Sequence, residues 1–273
     1  MIRVLHLFPE LDQHLVSLLR GLDDRQWSAA TVCREWKVRD VAAHLLDTCL
    51  RRLSMGRDGH RIPGPVDPSY AGTVRFLNEL NASWVLAWKR VSPEVLIDML
   101  ETFQPQYEQY LNTLDPEGKA LFSVAWAGED QSLNWFDIAR EYTERFLHQQ
   151  QIRHAVGAEG LLTRAFYYPF LDTLMQALPH TYNTRFPGAW DSATVRVDIV
   201  GEAGGSWTIV RGSGGWAFAA ESQSPDAQVY ISEQVAWLLF TKGIDVMEAR
   251  QFWQITGDQE LGSAVLAMTS VMA

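Results

Sequence analysis

The chain has 273 residues, 47% of them hydrophobic and 21% charged, an ordinary globular composition with length for one large core or two ordinary ones. Its 33 Asp and Glu against 23 Lys and Arg leave a net charge of −10, which argues against nucleic acid or an anionic membrane as the main partner, because phosphates are held by clustered cations. No run approaches the about 18 uninterrupted apolar residues of a membrane span. The 2 Cys form no CxxC, which points to a reducing compartment, the cytoplasm.

The amino terminus reads directly into a helix, without a signal-peptide pattern. Leu5, Phe8, Leu11, Leu15, Leu18 and Leu19 recur at helical spacing over 4–20, and Gly21 ends the run. An irregular connection covers 22–36. The next helix spans about 37–53, with Val38, Val41, Ala42, Leu45, Leu46, Cys49 and Leu53 on its apolar face. Residues 54–69, SMGRDGHRIPGPVDPS, are rich in Pro and Gly and predict a long functional loop. A third helix covers about 70–90. Ser92-Pro93 predicts a cap and first-turn proline for a helix over about 93–113. A long helix at 135–156 ends at Gly157. Beyond about 160 the texture changes. A helix over 166–179 stops at Pro179, and 194–200, 206–212, 215–220 and 227–232 read as strands of hairpins. Val195, Val197 and Ile199 alternate with Arg196 and Asp198, as in a sheet with one covered face. Helices return at 233–241, 245–254 and 258–271. The expected architecture is multidomain, an all-helical unit over 1–160 and an α+β unit over 161–273. The 11 Trp predict heavy aromatic packing or a lined pocket.

One constellation carries chemistry. Glu144 and His148 stand i, i+4 on the 135–156 helix and share a face, and His44 lies on the 37–53 helix. Two histidines and a carboxylate suit Zn²⁺ or another divalent ion, and helical bundles build such sites from facing helices. The same spacing also fits a solvated pair. Trp135, Ile138, Tyr142 and Phe146 form the apolar stripe, while Glu144 and His148 lie nearly opposite, beside Arg140 and Gln151. Ile152 and Ala155 border that polar face, so it is not wholly polar. His44 likewise borders a polar stripe with Asp40 and Asp47.

The segments CREWKVRDVAAHLLD (33–47) and EYTERFLHQQQIRHAVG (141–157) resemble the two motifs of the mycothiol-dependent maleylpyruvate isomerase family. The resemblance implies a DinB-like four-helix bundle followed by a smaller α+β domain similar to sterol carrier proteins. It implies metal ligation by His44, Glu144 and His148, which lifts the metal reading above the solvated pair. Zinc is the expected ion, with nickel also accepted by the donor set. The implied chemistry is activation of a small thiol such as mycothiol, in an isomerase or thiol transferase. A hydrolase activating water at the same site, or a non-catalytic small-ligand-binding protein, are the alternatives. Arg51, Arg52 and Arg57, on or near the 54–69 loop, are candidates to hold such a thiol cofactor, against the reading that they are solvated cations. Cys33 is expected as a packed loop thiol, Trp36 as an anchor of the helix start, Asp40 as its cap or as a partner of its N-terminal dipole, and Glu141 as a partner behind Glu144. Trp207, Trp216, Trp237 and Trp253 are expected in core packing rather than around a lipid cavity. The expected partners are a small-molecule substrate or thiol, and the oligomeric state is left open.

Overall fold

The computed structural model describes residues 1–188, 190–222 and 224–270. A 3₁₀ turn, Leu5–Leu7, leads into α1 (Phe8–Arg20), whose Pro9 sits in the first turn, where a missing N–H costs nothing. Within the expected irregular connection stands a short helix, α2 (Asp24–Trp27). Asp23 and Gln26 cap it reciprocally, a pattern too short to show any periodicity. α3 (Val38–Arg52) opens with the Asp40 carboxylate accepting the Lys37 N–H at 3.0 Å, and continues into a π-turn, Leu53–Arg57. α4 (Tyr70–Trp88) and α5 (Pro93–Asn112) follow, each capped by a serine hydroxyl. α6 (Asn134–Val156) ends at Gly157, whose φ of +69 is the left-handed conformation that closes a helix. α3 packs against α4, α5 and α6, and α1 packs against α5 and α6. One core surrounds Leu15, Trp27, Val41, Leu45, Leu96 and Leu100 at one end of this bundle.

A second core starts at Phe8, Tyr142 and Phe146 and continues without a break into the carboxyl-terminal part of the chain. α7 (Arg164–Met175) carries it across. Phe146 packs on Tyr167 and Phe170, with ring centroids at 5.6 and 4.4 Å. The Tyr142 hydroxyl donates to the Phe166 carbonyl at 2.8 Å, and the Tyr167 hydroxyl donates to the Glu233 carbonyl at 2.7 Å. Burying each such aromatic contributes roughly 1.5–3 kcal/mol. Pro179 does not stop a helix, contrary to expectation. α7 ends earlier, and Pro179 sits in the first turn of α8 (Leu178–Arg185).

The sheet has the order β3-β2-β1-β4-β5, built from β1 (Thr194–Val200), β2 (Gly205–Gly212), β3 (Gly215–Ala219), β4 (Ala227–Ser232) and β5 (Trp253–Gly257). β1, β2 and β3 form successive hairpins, but β4 returns beside β1 in parallel, with Val197 opposite Val229. Val195, Val197 and Ile199 are buried, as their alternation predicts. α9 (Glu233–Phe240) and α10 (Gln259–Leu266) both pack against β1 and β4. The helix expected over 245–254 is absent. Its place holds a 3₁₀ turn and then β5, which pairs with the free edge of β4; this long-range pairing overrides local propensity. Trp207, Trp216 and Trp237 are buried in the core, and the Trp253 ring carries the Arg250 guanidinium at 4.2 Å. Among the described residues no helix is long and apolar enough to cross a membrane.

Candidate metal centre

The turn before α3 is drawn tight by the Thr31 hydroxyl donating to the Trp36 carbonyl at 2.8 Å and by the Trp36 N–H donating to the Cys33 carbonyl at 2.8 Å. α3 then starts at Val38, which carries His44 into the interior face that α3 shares with α6. On α6 the i, i+4 spacing sets His148 Nε2 at 3.3 Å from Glu144 Oε2. The two imidazoles meet edge to face with centroids 4.7 Å apart, and one donor atom from each of His44, Glu144 and His148 lies within 4.8 Å of the others. The Trp36 ring covers them, 4.9 Å from His44 and 6.3 Å from His148. His44 is 4% exposed and His148 8%, so this is not a pair on a solvated helix face.

The protonation chemistry favours cation binding. Burial, the neighbouring His148 and the Arg51 charge together hold the His44 imidazole well below the usual histidine range, leaving it neutral and able to donate a lone pair. Burial pushes Glu144 up, but the hydrogen bond and charge of His148 and the charge of Arg140 outweigh it and hold the carboxyl below its ordinary value. His148 Nδ1 lies 2.8 Å from the Gln151 carboxamide oxygen, an acceptor, so Nδ1 carries the ring proton. His148 Nε2 then faces a Glu144 carboxylate oxygen at 3.3 Å, a pair that either a second ring proton or a metal cation completes. His44 Nδ1 is also buried without a hydrogen-bond partner among the described residues. A donor set of two imidazoles and a carboxylate, one of its nitrogens buried without a partner among the described residues, fits a divalent ion.

Behind the donors lies a buried ionic seam. Arg140 holds Asp137 at 2.8 Å and also Glu141, and Arg52 pairs with Asp137. Glu141 is pushed up by burial but drawn down to about 2 by Arg140, Arg52 and the donated Tyr107 hydroxyl. Glu141 thus stands behind the site, tied to Arg140, whose charge also acts on Glu144.

The three arginines expected near the loop separate. Arg51 lies near His44, and reaches Asp47 at 3.1 Å and the Asn81 side-chain oxygen at 2.9 Å. Burial raises Asp47 to about 6 against the pull of Arg51. Arg52 turns inward to the seam, under the ring of Phe122. Arg57 stands exposed at the end of the π-turn, held by Asp58 at 2.7 Å and Gln106 at 3.1 Å. His60 is exposed, and His154 packs edge-on against Trp237. Two contacts escaped the sequence reading. Trp36 lies tilted against both imidazoles as well as anchoring its turn, and Gln151 holds His148. The available signal for Gln151 was an amide three residues beyond a histidine on one helical face.

The sequence model of one family, described as the mycothiol maleylpyruvate isomerase N-terminal domain, matches residues 8–153. Among solved structures, that of the mycothiol-dependent maleylpyruvate isomerase superposes with a TM-score of 0.53 at 12% identity, covering 86% of each chain. A histidine-to-alanine mutant of that isomerase gives a TM-score of 0.51 at 13% identity, again over 86% of each chain. At such identity the likeness is one of fold. No curated protein matches the chain.

Proposed function

We propose, from the premise that the chain belongs to the mycothiol maleylpyruvate isomerase N-terminal domain family, that it is a cytoplasmic metal-dependent enzyme acting with a small thiol, as an isomerase or thiol transferase. The observation that carries this reading is the convergence of buried His44 and His148 with half-buried Glu144 beside Trp36. These three residues would hold a divalent ion, zinc or nickel, which affinity order favours over iron and manganese. When bound, such an ion lowers the pKa of a coordinated thiol, so that a thiolate nucleophile is present at neutral pH.

The chain's own residues supply the rest. His44 stays neutral through burial and the adjacent positive charges, and so keeps its lone pair available. Glu144 stays ionised and supplies the negative charge that favours a dication over a proton. Trp36 walls off one side and limits water. Arg51, half-buried and close to His44, offers a guanidinium to a carboxylate of the thiol or substrate, a role its fork geometry suits.

The test is elemental analysis of untagged protein purified without chelator, beside Glu144→Ala and His148→Ala. Near one metal per chain, lost in both variants, is expected. Turnover of maleylpyruvate is then measured with and without mycothiol. Formation of hydrolysis products without any thiol would replace this reading with a hydrolase. Absence of metal after reconstitution with Zn²⁺ and Ni²⁺ would end it.

A further inference from the structure

His148 is held from behind by a side chain outside the donor set. Gln151 follows it by three residues on α6, and Gln151 Oε1 lies 2.8 Å from His148 Nδ1. The same side chain neighbours the Cys33 thiol. An amide has one oxygen and one nitrogen, so with Oε1 toward the histidine Nε2 is the end left for other neighbours. Gln151 is 4% exposed, so water is not at hand to replace its bond to His148. Cys33 in turn is fixed by its own turn. Its N–H donates to Thr31 Oγ1 at 3.2 Å, and its carbonyl accepts from the Trp36 N–H at 2.8 Å. One short turn therefore borders both histidines, His44 through the Trp36 ring and His148 through Gln151, which Cys33 neighbours.

We propose that Gln151 is a positioning residue that fixes His148 in the Nδ1–H tautomer and thereby presents Nε2, beside Glu144, to the metal ion. The inference rests on the metal reading above and deepens it. A neutral imidazole has one proton for two nitrogens, and whichever nitrogen keeps it cannot ligate. Without an acceptor at Nδ1 the proton is free to sit on Nε2, where the Glu144 carboxylate 3.3 Å away would take its hydrogen bond and close the site. An acceptor on the far nitrogen removes that competing state. His44 has no such partner on Nδ1 among the described residues, so the device belongs to one of the two imidazoles.

The experiment compares Zn²⁺ affinity, by competition with a chromophoric chelator, for the unaltered protein, Gln151→Leu, Gln151→Glu and Cys33→Ala. Long-range ¹H–¹⁵N correlation spectra of the zinc-loaded protein identify the bound ring nitrogen. The spectra are expected to show His148 bound through Nε2 with its proton on Nδ1. Gln151→Leu is expected to weaken zinc binding by about 10–100-fold, the usual loss on removing an outer partner of a ligating histidine. Gln151→Glu keeps an oxygen toward Nδ1 and is expected to restore affinity to within about threefold of the unaltered protein, whereas Cys33→Ala, which only removes a neighbour of the amide, loses a few-fold. A role in packing alone would leave the Glu variant as weak as the Leu variant. That result, full affinity in Gln151→Leu, or ligation through Nδ1 would each overturn the inference while leaving the metal site standing. No zinc uptake by the unaltered protein would instead overturn the metal reading beneath it. Should Gln151→Leu fail to fold, the spectra of the unaltered protein and the Glu variant still decide.

Discussion

The two faces of α6 are both buried, and they are buried by opposite means. On one, Tyr142 and Phe146 pack against α7 in a continuous aromatic core that reaches into the sheet. On the other, Asp137, Glu141, Glu144, His148 and Gln151 form a polar seam against α3. Apolar burial of the first kind stabilises by area and needs no partners in particular positions. The second kind costs desolvation and repays it only where every charge is met. Along that seam the inner end is met, Asp137 and Glu141 by Arg52, Arg140 and Tyr107. At the outer end Glu144 and His148 Nε2 face each other at 3.3 Å, with the unpartnered His44 Nδ1 nearby. The difference marks the outer end of that seam as a place where a cation would complete the buried polar surface.

Substitutions on the two faces should therefore separate stability from metal content. The largest effect is expected for His148→Ala, which should abolish stoichiometric metal by elemental analysis while thermal melting of the chelated protein stays within a few degrees of the unaltered one. Phe146→Ala should do the reverse, costing about 3–5 kcal/mol in urea unfolding and leaving one metal per chain at low temperature. If Phe146→Ala shed its metal without unfolding, or His148→Ala unfolded the chelated protein, the two faces would not be independent.

The sequence made one of these faces far more legible than the other. The Trp135-Ile138-Tyr142-Phe146 stripe reads as core from its period alone, and it is in the core. The Glu144–His148 face reads equally well as solvated, because periodicity distinguishes the two sides of a helix but cannot show that a second helix covers the polar one. Only the packing of α3, bringing His44 to 4.7 Å from His148, decides that point. The sheet shows the same limit. β1 to β4 follow from alternation, whereas β5 exists because β4 has a free edge, a fact of pairing between residues 227–231 and 253–257. The parallel return of β4 beside β1 is likewise set by topology, since the intervening hairpin occupies the other side of β1. The separate fates of Arg51, Arg52 and Arg57 follow from the helix turn. Successive residues point about 100° apart, so Arg51 falls on the His44 side while Arg52 turns into the seam.

The smallest expected effects come from two buried carboxylates, and they have opposite signs. Glu141 is drawn to about 2 in the folded protein, below its ordinary value of 4.5. Its contribution is present above pH 4.5 and is lost as pH falls toward 2. Acid unfolding of the unaltered protein should thus be steeper over that window than that of Glu141→Gln. Asp47 is raised to about 6 from 3.8, because burial outweighs its single guanidinium partner, Arg51. Here the folded state holds its proton more tightly than the unfolded chain, so the stability Asp47 contributes at low pH is lost as pH rises through about 6. Asp47→Asn keeps the shape and removes the ionisation, and should raise urea stability at pH 7.5 by about 1–3 kcal/mol relative to its effect at pH 4. Unfolding curves at the two pH values check it. A variant equally stable or less stable at pH 7.5 would mean that Arg51 fully compensates the Asp47 carboxylate. Arg51 would then be committed to that pair instead of standing ready for a ligand carboxylate beside His44.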